Sequence, residues 1–359
     1  MTGLKITKVT ARAVNVPLSA PHPTAGGTVT SAPLVLIDLE TDGGVTGRTY
    51  LFCYTAFALK PVAALVQSFG ELIVGDALAP LEIFKKIQGR LRLLGPQGLT
   101  GMAAAGIDMA AWDALAVAQG LPLASLLGGK PGTVATYHSC GMGGLDAAIM
   151  DTEASRKLGF DTVKFKIGYG DARQDLAVLK AAKKAGGSDL RMLVDYNQSL
   201  DVTSAIARER VIEEMDLVWI EEPVTADDYA GHAEIAAAAA TPIQIGENMW
   251  SPTDFEKAIA EGFKDGIMLD VMKIGGVTGW MKAAALAEIH GIRVSSHLFP
   301  EVSAHLLSVT KGAQLLEWQD WVAPVLAEPL VPKDGIAQAS TAPGTGIAWN
   351  EATIAKCLV

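Results

Sequence analysis

The chain has 359 residues, half of them hydrophobic and 19% charged, with a formal net charge of −10. That length exceeds one small domain and suits a large barrel with a second module. The acidic balance argues against nucleic acid as a partner, because phosphate binding needs a basic face, but it leaves room for an anionic small molecule where a metal or a lysine pair overrides the global sign locally.

Met1 to Leu18 lacks the uninterrupted apolar stretch of a signal peptide. Leu4 to Leu18 and Pro33 to Tyr50 alternate apolar and polar residues around a tight-turn signal, Thr41-Asp42-Gly43-Gly44, which predicts strands and a hairpin. Helical periodicity follows over Ala56 to Phe69, Leu81 to Leu94 and Thr100 to Gln119. Met102 to Gln119 is apolar enough to suggest a membrane span. Asp108 and Asp113 interrupt it, so a buried or amphipathic helix is expected and no membrane partner. Strands first and helices after read as an α+β module over residues 1–130, bounded by Gly128-Gly129-Lys130-Pro131-Gly132. Cys53, Cys140 and Cys357 are odd in number and far apart, which fits neither a disulfide framework nor a zinc site and suits a reducing cytoplasm.

Beyond the boundary a repeat begins. Eight short apolar runs, TVATYHSC, DTVKFKIG, RMLVDYN, LVWIEEP, PIQIGEN, DGIMLDV, RVSSHL and AQLLEW, alternate with helix-like stretches. The spacing is that of a βα unit, and eight of them predict a (β/α) barrel over residues 131–322. Residues 323–359 lack the repeat and are expected to pack back on the first module. Nearly every run ends on a polar or ionisable residue: Ser139, Lys164 with Lys166, Asp195 with Asn197, Glu221, Glu247, Asp270, His297 and Glu317. The C-terminal ends of barrel strands open on one face, so these residues converge on one pocket.

Three carboxylates on consecutive strands, Asp195, Glu221 and Glu247, repel one another unless a cation lies between them. All-oxygen ligation selects a hard ion, and magnesium leaves positions open for a substrate. The alternative is that each acid caps the following helix. Glu222 is expected to point away from Glu221, by strand alternation. Lys164 and Lys166 share one face. Two adjacent cations near a metal favour a neutral amine, which makes one lysine a base and leaves the other to neutralise a carboxylate; a pair of surface lysines is the plainer reading of the KxK string alone. His297 with Asp270 one strand away forms a candidate dyad, as against a merely structural histidine. Lys166 and His297 then face each other across the mouth as two bases. Glu317 is either an ordinary paired carboxylate or a carboxyl held neutral that donates to an oxyanion. Asn197 can meet a substrate hydroxyl or an enolate. His138, His232, His290 and His305 read as outward or packing residues, and Gly275-Gly276 as a turn, since Walker spacing is absent.

The strings Lys164-Phe165-Lys166, Val194-Asp195-Tyr196-Asn197-Gln198-Ser199, Trp219-Ile220-Glu221-Glu222-Pro223, Gly246-Glu247-Asn248, Asp270 to Gly279 and Ser295-Ser296-His297-Leu298 resemble the enolase superfamily, in particular its mandelate racemase subgroup. The likeness extends to Arg12 to Leu18 and to Ala103 to Leu115, and so over essentially the whole chain. It implies a modified TIM-like barrel under an α+β capping domain and Mg2+ on Asp195, Glu221 and Glu247. It implies Lys166 and His297 as bases for opposite enantiomers, with Asp270 orienting the histidine. Lys164 and Glu317 match groups that hold the substrate carboxylate as it becomes an enediolate, and Asn197 a residue near the substrate hydroxyl. The family's subunits assemble into homo-oligomers of even number.

The resemblance also implies a small carboxylate substrate beneath a capping loop near residues 20–30. Ser139, His22, Thr24, Val29, Phe52, Tyr54, Leu298 and Gln319 are the expected lining. His22 and Gln319 stand where aliphatic side chains are expected, and Ala20, Pro23 and Gly26-Gly27 imply a smaller, differently hinged loop. Racemisation of a mandelate-like α-hydroxy acid is the leading expectation. Dehydration of an aldonate or aldarate, with His297 as general acid, is the alternative that the two polar residues favour, and a catalytically silent metal-binding barrel is the third.

Overall fold

The computed structural model describes residues 3–24 and 27–359. An antiparallel sheet of β1 (Ile6–Thr24), β2 (Gly27–Thr41) and β3 (Thr46–Phe52) is followed by α1 (Leu59–Ile73), α2 (Pro80–Arg90) and α3 (Gly98–Ala118). The β2–β3 turn falls on Thr41 to Gly44, where the Gly44 amide donates to the Thr41 carbonyl at 3.1 Å. A short helix, α4 (Leu123–Leu126), leads into the second module.

The expected loop near residues 20–30 is instead largely paired strand. His22 stands opposite Val29, Pro23 opposite Thr28 and Thr24 opposite Gly27, so the β1–β2 hairpin runs out as an arm. Its register breaks between Pro17, opposite Ser31, and His22, so that Leu18 to Pro21 face Thr30 alone. Such an irregularity bends and twists a hairpin. Met142 donates its amide to the Pro23 carbonyl at 2.8 Å, and a Cβ on Gly141 would lie 2.7 Å from that oxygen. Glycine there lets the arm lie against the barrel. The expected hinge at Gly26-Gly27 rests partly on Gly26, which lies outside the described residues.

All eight expected barrel strands are present. They are β4 (Thr133–Ser139), β5 (Thr162–Lys166), β6 (Arg191–Asp195), β7 (Ile220–Glu221), β8 (Ile243–Ile245), β9 (Gly266–Asp270), β10 (Arg293–His297) and β11 (Ala313–Trp318). They pair in parallel in chain order, and β11 closes on β4. Seven helices join them: α5 (Gly144–Lys157), α6 (Ala172–Gly186), α7 (Val202–Ile212), α8 (Tyr229–Ala238), α9 (Pro252–Ala260), α10 (Gly276–His290) and α11 (Pro300–Ser308). Tyr137, Leu193, Trp219, Met268 and Leu315 form a separate buried cluster contributed mainly by the strands, the side-chain filling that makes such a barrel a core and not a pore. After β11 the chain returns: β12 (Ile336–Gln338) pairs with β4, and α12 (Glu351–Cys357) packs on β1, where Arg12 meets Glu351 at 2.6 Å.

Helix α3 is long and apolar enough to cross a membrane by length and composition, yet most of it is buried inside the protein. Its two acids bind the modules together. Asp113 accepts from the backbone of Arg48 at 2.8 Å and of Thr345 at 2.6 Å. Asp108 reaches into the barrel layer and accepts from the Thr278 amide at 2.9 Å and its hydroxyl at 2.6 Å, at the start of α10. The Trp112 indole donates to that same hydroxyl at 2.9 Å. Gly276 is needed here, because a Cβ would lie 2.3 Å from an Asp108 oxygen. The helix start thus borrows its cap from another module.

Asp108→Ala should lower stability by about 1–3 kcal/mol, the cost of leaving buried donors unpaired, read by urea denaturation. His138 faces the helix layer, bonded to Ser155 at 2.7 Å and stacked on Phe160. Burial pushes its pKa down to about 4. The unfolded chain therefore binds the extra proton between that value and about 6.5, and the group's contribution to stability falls as pH drops through this window. His138→Phe should flatten the pH dependence of the unfolding midpoint there.

Candidate active site

Parallel pairing sets the site. Lys166 lies beside Asp195, Asp195 beside Glu221, and His297 beside Asp270 in the register of adjacent strands. Lys164, two residues before Lys166 on β5, enters from the same side. Ser139 is its neighbour on β4. Glu247 follows the end of β8, after a Gly246 at φ 119° whose Cβ would crowd the Met268 carbonyl.

Asp195, Glu221 and Glu247 each offer an oxygen within 4.8 Å of the others, and all three are buried. Lys164 is buried against Glu221 at 2.7 Å and Glu317 at 2.9 Å, while Lys166 contacts Asp195 at 2.6 Å. His297 bonds Asp270 through Nδ1 at 2.7 Å, and its Nε2 lies 3.2 Å from Glu247. Five carboxylates therefore face two ammonium groups and one imidazole, and even a protonated histidine leaves negative charge in excess. Burial pushes Glu221 well above the usual carboxylate range, and Asp195 and Glu247 add to this against Lys164. A hard divalent ion bound by the triad answers this surplus, which is why the three acids fit a metal site.

Burial favours a neutral Lys166, but Asp195, Glu247 and Glu221 together outweigh it and hold the ammonium above its ordinary value. The expected lowering by Lys164 operates only as a lesser opposing effect. Of the two readings of Glu317, the contacts with Lys164 favour the paired carboxylate. Burial raises its pKa, but Lys164 and His297 outweigh this and lower it, and the Leu298 amide donates to it at 3.0 Å. His297 is raised: burial disfavours its charge, while Glu247 and Glu317 favour it more strongly.

Glu222 lies apart from the triad, as expected, though not by strand alternation. The strand ends at Glu221, so alternation no longer applies, and Glu222 turns at φ 34° to accept from Asn248 at 2.6 Å. It stays outside the metal-capable group. Asn197 donates to Asp195 at 2.8 Å. Tyr54, Asn197, Gln198 and Leu298, all at the cavity, have positive φ. Left-handed backbone is uncommon for such side chains and collects where a site over-determines it.

The cavity above these groups has a volume of about 570 Å³. It brings together Lys164, Lys166, Asn197, Glu247, His297, Glu317 and Ser139 with His22, Thr24, Val29, Phe52, Tyr54, Leu298 and Gln319. Asp195, Glu221 and Asp270 lie just beneath, each buried against one of these groups. Sequence reasoning missed Trp321, three residues beyond β11, which meets His22 edge-on at 5.1 Å and Phe52 at 5.4 Å. It also missed Lys273, which donates to Asn248 and lies 4.5 Å from the centre of the Tyr54 ring. A cation three residues past the end of β9 was the available signal.

The model of the mandelate racemase/muconate lactonizing enzyme N-terminal domain matches residues 6–128, and that of the enolase C-terminal domain-like family matches residues 149–353. The chain belongs to the enolase superfamily, in its mandelate racemase subgroup. It superposes with a TM-score of 0.96 on a crystal structure of an enolase from Bradyrhizobium complexed with magnesium and mandelic acid, at 45% identity over 100% of this chain and 99% of that one. It is 30% identical to the L-talarate/galactarate dehydratase of Salmonella typhimurium, over 90% of this chain and 82% of that protein. It is 28% identical to the L-Ala-D/L-Glu epimerase of Bacillus subtilis, over 96% of this chain and 97% of that protein. The superfamily thus holds both dehydratases and epimerases at similar distance, so membership gives a metal-dependent enzyme and leaves the specific reaction open.

Magnesium chloride should raise the unfolding midpoint, by about 2.7 kcal/mol in stability at a hundredfold excess over the dissociation constant. Differential scanning fluorimetry of Glu221→Gln should show that shift reduced or abolished.

Proposed function

We propose that this enzyme takes the α-proton from a mandelate-like aryl α-hydroxy acid and returns it to either face, with magnesium on Asp195, Glu221 and Glu247. The observation that carries the reading is that Lys166 and His297 border one cavity from strands well separated around the barrel, β5 and β10. Magnesium bound there would draw charge from the substrate carboxylate and so acidify the neighbouring C–H. Lys166 as the free amine removes the proton from one enantiomer while protonated His297 supplies a proton to the opposite face, and the two exchange roles for the other enantiomer. Asp270 holds Nδ1 of His297, so Nε2 is the atom that exchanges protons. Lys164 meets the charge that gathers on the enediolate, and Glu317 keeps Lys164 placed and charged. Asn197 offers its amide to the substrate hydroxyl and Ser139 lines the carboxylate end. Phe52, Tyr54, Leu298 and Trp321 supply an apolar wall suited to a ring. The mandelic acid held by the Bradyrhizobium enolase supports the aryl assignment. The same reading places the enzyme in the cytoplasm as a homo-oligomer of even subunit number.

Dehydration of a sugar acid is the second reading. It is favoured by the kinship with talarate/galactarate dehydratase and by the polar His22 and Gln319. His297 would then protonate a departing β-hydroxyl.

In deuterated water both enantiomers of mandelate should exchange the α-proton. His297→Asn should slow exchange from one enantiomer only, and Lys166→Ala from the other, each by about 10²–10⁴-fold, as followed by proton NMR. Loss from both enantiomers in both variants would refute the two-base arrangement. Keto-acid formation from a panel of aldonic and aldaric acids, without racemisation, would favour the dehydratase.

A further inference from the structure

His22 is 9% exposed and borders the cavity from the hairpin arm. Its Nε2 is shut from solvent and unpaired, and neither ring nitrogen has a hydrogen-bond partner among the described residues. Its ring packs against Trp321, which packs in turn against Phe52, and Phe52 against Tyr54 at 4.9 Å. The result is an aromatic wall broken by one imidazole. Burial, with Lys166 adding to it, pushes the His22 pKa down to about 4. At neutral pH the ring is therefore uncharged, with one nitrogen able to donate and the other to accept. A half-turn of the ring exchanges each nitrogen with a carbon at little steric cost, so either edge can be offered to a ligand.

A buried polar group without a partner is unfavourable, and the great majority find one. The aromatic side chains packed on His22 supply none, and the ring borders the cavity, so a substrate group can supply the partner. A hydroxyl suits a neutral imidazole in both roles, as donor and as acceptor. Gln319, on the same cavity, likewise has no side-chain hydrogen bond among the described residues and can share the group.

We propose that His22 is a specificity residue and that the acid turned over here carries a hydroxyl on its aryl ring, bonded to the imidazole. This rests on the racemase reading above and names its substrate class. Binding sites that hydrogen-bond a substrate hydroxyl discriminate strongly against the analogue without it, because the unpaired site group is left buried. With a cavity partly open to water the preference is set lower, at about 10- to 100-fold in kcat/KM.

The test compares mandelate with its 3-hydroxy, 4-hydroxy and 3,4-dihydroxy derivatives in the wild type, His22→Val and His22→Gln, following racemisation and α-proton exchange. The wild type should favour at least one hydroxylated acid by 10-fold or more. His22→Val should lose that preference, and His22→Gln should recover part of it, which a purely structural effect of the valine would not allow. Circular dichroism confirms that the variants are folded. If mandelate is racemised and no hydroxylated acid is preferred, or the preference survives His22→Val, the assignment of His22 is wrong and the racemase reading stands. If none of the acids exchanges or racemises, the racemase reading fails and this assignment with it.

Discussion

Mutual repulsion among buried carboxylates is the constraint on which this molecule turns. Asp195, Glu221 and Glu247 converge on one point because parallel register and strand-end placement leave them nowhere else to go. Their charge is tolerated through Lys164, Lys166 and His297, each in contact with at least one of the acids. The lysines that serve the proposed chemistry are therefore also what offsets the buried acids in the fold. A cation at the triad would take over Asp195 and Glu221, and in doing so would withdraw the support that keeps Lys166 charged. Metal binding and base strength are coupled through shared oxygen atoms.

The cap and barrel are joined by the same principle of pairing buried charge, applied without a counter-ion. Asp108 and Asp113 sit in an otherwise apolar helix and are satisfied by backbone amides of α10, β3 and the C-terminal return. Helix α3 is thus a bolt between modules, and the acids that interrupt its apolar run are the parts that engage. Among the described residues the arm lies over the mouth by a lighter attachment: a backbone hydrogen bond to Met142, a hydroxyl contact from Ser19 to Asp320 at 3.2 Å and the packing of His22 on Trp321.

Much of this was legible in the sequence. Each barrel strand shows as an apolar run, and the polar residue at its end marks the mouth, so Lys166, Asp195, Glu221, Glu247 and His297 could be grouped without coordinates. What escaped depends on distances between remote segments. The ionised state of Glu317 follows from Lys164 at 2.9 Å, which no local pattern encodes. Glu222 turns to accept from Asn248 because β7 is only two residues long, and a period-two argument presumes a longer strand. Trp321 lies past the last repeat, where nothing in the periodicity says that it folds back over Phe52. The arm reads as a loop in the sequence because the resemblance implies a capping loop near residues 20–30, although most of the backbone there is paired.

The uneven stretch in that arm, four residues of β1 facing Thr30 alone, has a consequence for descent. The arm is built on the cap sheet, while the acids and bases are built on the barrel. Insertions, deletions and exchanges in a bulged hairpin disturb little beyond the hairpin itself. A lineage carrying this architecture can try new ligands by editing about a dozen codons, and the proton-transfer apparatus is inherited unchanged while it does so.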